Sequence, residues 1–147
     1  MYRMKGILLI SLVSLVLFGC EEKKVTEEML IGDWECGATE QRAKWKNGVF
    51  QNYSTTIDHG KSLVTYLKEN DSLFVKLPDS DEKIKQDFKK LNESYEDSLG
   101  DRKIVGFTKL EYISDNEFKL TSESTRTQDK QEDNEKIKTL MHCTRIK

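Results

Sequence analysis

The sequence predicts a small, mainly β domain whose antiparallel strands form either a barrel or a strongly curved sheet. One amphipathic helix is predicted within it, at about residues 80–98. Three observations lead to this fold class. Apolar and polar residues alternate over Leu30–Ala38, which indicates a half-buried strand. Asn47-Gly48 is a strong hairpin signal, because both residues tolerate positive φ. Further short stretches are separated by turn residues such as Ser114-Asp115-Asn116.

Length and charge limit the classes of protein to consider. The chain has 147 residues, enough for one domain of ordinary size. It holds 24 basic and 26 acidic residues, so it lacks the basic surplus of a nucleic-acid-binding domain. We therefore expect no nucleic-acid partner. The predicted organisation is a signal peptide at 1–19, a lipidated N-terminus and tether at 20–28, and a single β-rich domain at 29–147.

The N-terminal residues are typical of an export signal. Arg3 and Lys5 precede Ile7–Phe18, which is apolar except for two serines. A membrane-spanning helix needs roughly 20 apolar residues, and this segment is shorter. It therefore indicates a cleavable signal peptide rather than a permanent membrane span.

The residues Leu17-Phe18-Gly19-Cys20 follow directly. They resemble the lipobox of bacterial lipoproteins, in which a small residue precedes the cysteine that becomes the lipidated N-terminus. Phe18 is bulkier than is usual there. The resemblance implies that Cys20 carries acyl chains that anchor the protein to a membrane. In Gram-negative lipoproteins an aspartate after the cysteine favours the inner membrane, so Glu21 implies transfer to the outer membrane.

Two further cysteines remain in the exported domain. Cys36 and Cys143 are predicted to form a disulfide, because exported proteins fold in an oxidising compartment and only one pairing is available. The chain-entropy model assigns about 4–5 kcal/mol to closing a loop of this length. The alternative is a pair of unpaired buried thiols.

The predicted elements follow one another along the domain. After the first strand, strands are expected at Val49–Ile57, Ser62–Lys68, Ser72–Leu77, Lys103–Ile113, Glu117–Thr127 and Ile137–Ile146. Asp58-His59-Gly60 is expected to be a turn, and Gln128–Asn134 a loop.

The helix is predicted from an apolar stripe at helical spacing. Its members are Ile84, Phe88, Leu91 and Tyr95. Asp79 with Glu82 is a plausible capping pair, and Gly100 a plausible stop.

No group of residues indicates catalysis or metal binding. The two histidines, His59 and His142, lie far apart, and neither belongs to a closely spaced set of zinc ligands. The chain contains no Gly-x-Ser-x-Gly motif and no glycine-rich phosphate loop. We therefore expect a non-enzymatic domain without a metal or an organic cofactor.

The segment Gly32-Asp33-Trp34 resembles the Gly-x-Trp signature in the first strand of lipocalins and lipocalin-like β-barrels. The resemblance implies that Trp34 closes one end of a barrel, with an arginine from the last strand over its ring. Arg145 is the candidate, and such a contact contributes about 0.5–2 kcal/mol. By alternation Trp34 shares a face with Cys36, and Arg145 with Cys143, so the disulfide would join the first and last strands. The predicted helix departs from the family, and the alternative is a small open sheet with the helix on one face.

These observations favour an envelope lipoprotein that acts as a non-enzymatic binding module for a small apolar or peptide ligand. One alternative is a protein inhibitor or immunity-type lipoprotein acting through an exposed loop, either Lys46–Phe50 or Gln128–Asn134. Another is a structural envelope protein without a ligand. Large side chains filling the interior would favour the inhibitor over the cavity.

Overall fold

The computed structural model describes residues 22–78 and 80–147. These residues form one nine-stranded antiparallel sheet that curls into a half-barrel. Its strands are β1 Gly32–Lys46, β2 Val49–Phe50, β3 Ile57–Glu69, β4 Ser72–Lys76, β5 Lys83–Gln86, β6 Ser94–Leu99, β7 Arg102–Ser114, β8 Glu117–Thr127 and β9 Glu135–Arg145. The helical segments are α1 Glu27–Leu30 and two 3-10 helices, Phe88–Asn92 and Gln131–Asp133. The predicted fold class, mainly β with strong curvature, is confirmed.

The sheet places the first and last long strands side by side at its centre. The strand order is β5-β4-β3-β1-β9-β8-β7-β6, and β2 pairs only with β1. Apart from β1 with β9, neighbouring strands are consecutive in the chain, except that the short β2 lies between β1 and β3 in sequence. The two outermost strands, β5 and β6, are also consecutive but do not pair. The half-barrel is therefore open along one side, between β5 and β6.

Strand β1 runs along the whole half-barrel and defines its two ends. We call the end at Gly32 proximal, because residues 22–30 lead into it, and the end at Lys46 distal. The 15 residues of β1, at about 3.3 Å per residue, extend roughly 45 Å. The predicted lipid anchor therefore precedes the proximal end, and the hairpin at Asn47 lies at the other.

The hydrophobic core occupies the concave face at the proximal end. Trp34 and Phe118 are fully buried and meet edge to face, with ring centroids 4.7 Å apart. Full burial of a side chain of this kind stabilises the fold by about 1.5–3 kcal/mol. The other buried residues of this cluster are Val25, Leu30, Cys36, Val64, Tyr66, Leu73, Val75, Leu110 and Cys143.

The predicted helix at residues 80–98 is wrong, because this segment forms β5, a 3-10 helix and β6. Phe88 and Leu91 do pack against the core, from the 3-10 helix. Ile84 and Tyr95 lie instead on strands and remain 44% and 36% exposed. Strand pairing to β4 and β7 overrides the helical spacing of the four residues. The predicted capping residue Asp79 lies outside the described residues.

The chain after the hairpin also differs from the prediction. The expected strand Val49–Ile57 is reduced to the two residues of β2, and the following segment hydrogen-bonds to β1 without forming a strand. Residues 58–60 are not a turn but part of β3, where the register with β1 shifts. Gly60, with φ of +73°, supplies the positive φ at this bulge.

The segment predicted to be a solvated tether takes part in the fold. Val25 is buried in the core, and Glu27–Leu30 form α1. The Thr26 hydroxyl caps this helix by accepting from the Met29 backbone N–H at 3.2 Å. Cys20 and the predicted signal peptide lie outside the described residues.

Candidate functional site

Trp34 and Arg145 seal the proximal end together. They lie directly opposite each other on β1 and β9, and the guanidinium carbon is 4.3 Å from the centre of the indole ring. Arg145 also donates to the carbonyls of Ile31, at 2.9 Å, and Met29. The Trp34 indole N–H donates to the Leu30 carbonyl at 2.6 Å. The two side chains thus bind the backbone carbonyls at the end of α1, which have no partner within a helix of four residues.

Gly32 leaves the space that this arrangement needs. Its φ is +127°, and a Cβ at this position would lie 2.8 Å from Nη1 of Arg145. A side chain at this position would therefore require the guanidinium to shift. This gives the Gly-x-Trp motif a physical basis in this chain.

The predicted disulfide is present and lies beside this pair. Cys36 and Cys143 are directly opposite on β1 and β9, with Cα atoms 4.1 Å apart, and they are 107 positions apart in sequence. Both are buried, at 2% and 0% exposure. The bond therefore fastens the first strand to the last inside the core, and it is a structural rather than a surface feature.

A cluster of charged side chains occupies the concave face toward the distal end. Glu135, at the start of β9, accepts from Arg42 at 3.3 Å, from Lys44 at 3.2 Å and from Arg126 at 3.4 Å. Arg42 also binds Glu40 at 2.5 Å. Arg42 and Lys44 are 93 and 91 positions from Glu135 in sequence, yet the pairing of β1, β8 and β9 brings them together.

The acidic and basic groups of this cluster each favour the charged form of the other. Burial alone would raise the pKa of Glu135, but the hydrogen bond from Lys44 and the charges of Lys44, Arg42 and Arg126 outweigh it and lower that pKa. The hydrogen bond to Glu40 raises the pKa of Arg42. The side chain of Glu135 is only 12% exposed, whereas those of the three cations are 39–69% exposed. Solvent and a binding partner can therefore reach the cations.

The cluster continues the face that carries the core. The register between β1 and β9 is unbroken from Trp34 to Lys44, so alternate residues of β1 point to one side throughout. That side is apolar at Trp34 and charged from Glu40 onward. The charged residues Glu40, Arg42 and Lys44 occupy alternate positions of β1, and this pattern is visible in the sequence. Their partner Glu135 could not be identified from spacing.

The two loops considered as binding elements meet at the distal end. The backbone N–H of Trp45 donates to the Asn134 carbonyl at 3.1 Å, so the hairpin and the Gln128–Asn134 loop are neighbours. Trp45 and Phe50 stack edge to face at 4.8 Å across the hairpin. Val49, at its tip, is 58% exposed.

The histidines are not part of a common site. His59 is 3.6 Å from Glu40, and His142 is 2.5 Å from Glu117 on another part of the sheet. Within residues 22–78 and 80–147, no group of three or more His, Cys, Asp or Glu residues is arranged to hold a metal ion.

Two clefts lie away from the charged cluster. One of about 780 Å³ is at the proximal end, between the N-terminal segment and β7, with Val25, Phe88 and Tyr112 in its lining. Another of about 590 Å³ is bordered by Leu63 and Leu77. Val25 belongs to the core cluster and Phe88 packs against it, so the proximal cleft borders the core.

Comparisons with known proteins give no relative on which to base a function. No family model, no curated protein and no solved structure matches the chain. In the part of the chain described by the structure, none of the helices has both the length and the apolar character needed to cross a membrane.

Proposed function

We propose that this chain is a lipid-anchored, non-enzymatic binding protein of the cell envelope, and that its distal end binds a peptide or protein segment. Lipidation at Cys20 would hold it at a membrane, which by the sorting resemblance is the outer membrane of a Gram-negative bacterium. The proposal includes no cofactor, no catalysis and no nucleic-acid partner.

One observation carries the proposal. The hairpin and the Gln128–Asn134 loop adjoin each other, through Trp45 and Asn134, at the rim of the concave face that bears the charged cluster. This rim lies roughly one length of β1, about 45 Å, from the segment that leads to Cys20. An anchored protein would therefore present it away from the membrane surface.

The interior supports a macromolecular partner over a small apolar ligand. Trp34 and Phe118 fill the concave face at the core. The open part of that face bears Arg42, Lys44 and Arg126, which suit polar or charged groups. The binding-module and inhibitor hypotheses therefore involve the same surface, the distal rim, because the hairpin and the Gln128–Asn134 loop both form part of it.

Cross-linking in the native envelope tests this proposal. The wild-type chain is compared with Val49→Asp, at the exposed tip of the distal hairpin, and with Ile113→Asp, which changes a similarly exposed residue at the proximal end. We expect a partner, identified by mass spectrometry, that is captured by wild type and by Ile113→Asp and is lost with Val49→Asp. Capture that is the same for all three, or absent for wild type, would refute the proposed distal site.

A further inference from the structure

The open side of the half-barrel exposes the edge of β6. This strand pairs with β7 on one side and with no strand of the described chain on the other. All six of its residues, Ser94–Leu99, are exposed. An edge of this kind presents backbone hydrogen-bonding groups to any extended chain that approaches it.

The pairing with β7 determines which groups face outward. The Thr108 N–H donates to the Glu93 carbonyl at 3.0 Å, so Glu93 hydrogen-bonds toward β7. In an antiparallel pair such residues alternate along the strand. The backbone groups of Ser94, Glu96 and Ser98 therefore point away from β7. The Ser98 N–H is already bound by the Asp97 carboxylate at 2.8 Å, which leaves Ser94 and Glu96 as the outward donors.

Other open edges of the sheet carry lysines or a β-bulge, features that discourage pairing with another strand, and β6 has fewer such features. Strand β5 has Lys83 and Lys85, and the distal part of β3 has the bulge at Gly60. Strand β6 contains no lysine and no proline, and its register with β7 is regular. The one feature of β6 that disfavours pairing is the charge of Asp97 on the concave face.

The side chains of β6 limit what can pair with it. Glu96 and Asp97 are acidic, and Glu96 pairs with Lys103 at 2.8 Å. A second copy of β6 would bring these acids together, which is destabilising. On the concave face Tyr95 and Leu99 are exposed, Leu99 at 75%. Glu96 lies on the opposite face, so a complementary strand carries apolar residues on the concave face and basic residues on the other, in alternation.

We propose that β6 binds an extended segment of a partner protein by β-strand addition, and that this segment alternates Lys or Arg with apolar residues. The added strand pairs with the outward groups of Ser94 and Glu96, places apolar side chains on the concave face beside Tyr95 and Leu99, and places its cations on the opposite face beside Glu96. The inference rests on the proposed function, because it names the chemistry of the partner segment. Strand β6 ends near the distal rim, so one partner can contact both.

A labelled peptide with alternating lysine and valine tests the proposal by fluorescence anisotropy, with the full chain purified in detergent. The control peptide alternates glutamate and valine. In the protein, Ser94→Pro removes one outward N–H, and Ser94→Ala keeps it. The preceding Glu93 is extended, with φ of −130° and ψ of 158°, which is the conformation favoured before a proline, and Ser94 is the first residue of an edge strand. Circular dichroism verifies that each variant is folded.

We expect the basic peptide to bind wild type and Ser94→Ala alike, and to bind Ser94→Pro about tenfold more weakly. Glu96→Gln should weaken the basic peptide severalfold and reduce the effect of salt. Absence of binding to wild type, equal binding to the two Ser94 variants, or equal binding of the two peptides would overturn the inference. So would dimerisation of wild type that Ser94→Pro abolishes, since the occupant would then be a second copy.

The two proposals can fail separately. If the envelope partner captured by wild type is also captured by Ser94→Pro, strand addition at β6 is refuted and the distal site stands. If Val49→Asp leaves capture unchanged while Ser94→Pro abolishes it, the distal site is refuted and strand addition stands.

Discussion

Arg145 lies over the ring of Trp34 while its guanidinium donates to two backbone carbonyls at the end of α1. One side chain from the last strand therefore holds the first strand and the N-terminal helix at once. The contact closes the proximal end by bonds between residues more than a hundred positions apart. It ties the N-terminal helix to the packed end of the half-barrel.

Replacing Arg145 by alanine should destabilise the domain by about 2–4 kcal/mol, because the cation–π contact is lost and the carbonyls of Met29 and Ile31 lose their donors. Arg145→Lys should recover only part of this, since an ammonium does not have the planar fork of donors. Urea unfolding measures both. Equal stability of wild type and Arg145→Ala would contradict the assigned role.

Gly32→Ala should be more damaging than an ordinary strained glycine replacement. The new Cβ would meet Nη1 of Arg145 at 2.8 Å, in addition to the strain at φ of +127°. Gly48→Ala is the matched control, because its φ is +81° but no atom lies within 4 Å of the added Cβ. We expect a loss of about 2–4 kcal/mol at Gly32 and about 1 kcal/mol at Gly48, measured by thermal unfolding. Equal losses would show that the close contact is unimportant.

Removing the disulfide should lower stability substantially. The double substitution Cys36→Ala with Cys143→Ala releases a loop of more than a hundred residues, for which the chain-entropy model gives about 4–5 kcal/mol. Because both sulfurs are buried, a reductant should act slowly on the folded protein and rapidly in urea. Thiol labelling over time in the two conditions checks this. Fast labelling without denaturant would contradict the buried position.

Glu135 should contribute stability that depends on pH. Its pKa is lowered in the folded state, so the folded protein holds this proton less tightly than the unfolded chain. The contribution is therefore complete above the unfolded pKa of about 4 and is lost as the pH falls through the lower folded value. Wild type should be more stable than Glu135→Gln near neutral pH, and the difference should shrink in acid.

Glu69→Gln provides the control for that experiment. Glu69 pairs with Lys83 on the surface, where ion pairs contribute about 0–1 kcal/mol. Its removal should change unfolding in urea little at any pH. A difference between wild type and Glu135→Gln that stays constant from neutral to acidic pH would argue against the charged role of Glu135.

Cys20→Ser should abolish the proposed lipid anchor. We expect the variant to appear in the soluble periplasmic fraction or to remain unprocessed, because the acyl chains that hold it to the membrane can no longer be attached. Fractionation and mass spectrometry of the mature chain measure this. An unchanged mass together with normal membrane fractionation would exclude lipidation at this residue.

Much of the proximal end could be predicted from the sequence. Period-two alternation identifies the buried face of β1, and the same parity relates Trp34 to Cys36 and Arg145 to Cys143. These inferences succeed because alternation is a property of the single strand, and because two cysteines allow only one pairing.

The segment at residues 80–98 and the charged cluster depended on tertiary structure. Ile84, Phe88, Leu91 and Tyr95 have helical spacing, but β4 and β7 offer strand edges whose hydrogen bonds outweigh that local preference. Glu135 meets Arg42 only because β9 lies beside β1 in one particular register. Local sequence thus determined which residues face the core, whereas pairing between distant strands decided where the half-barrel opens and which charges share a face.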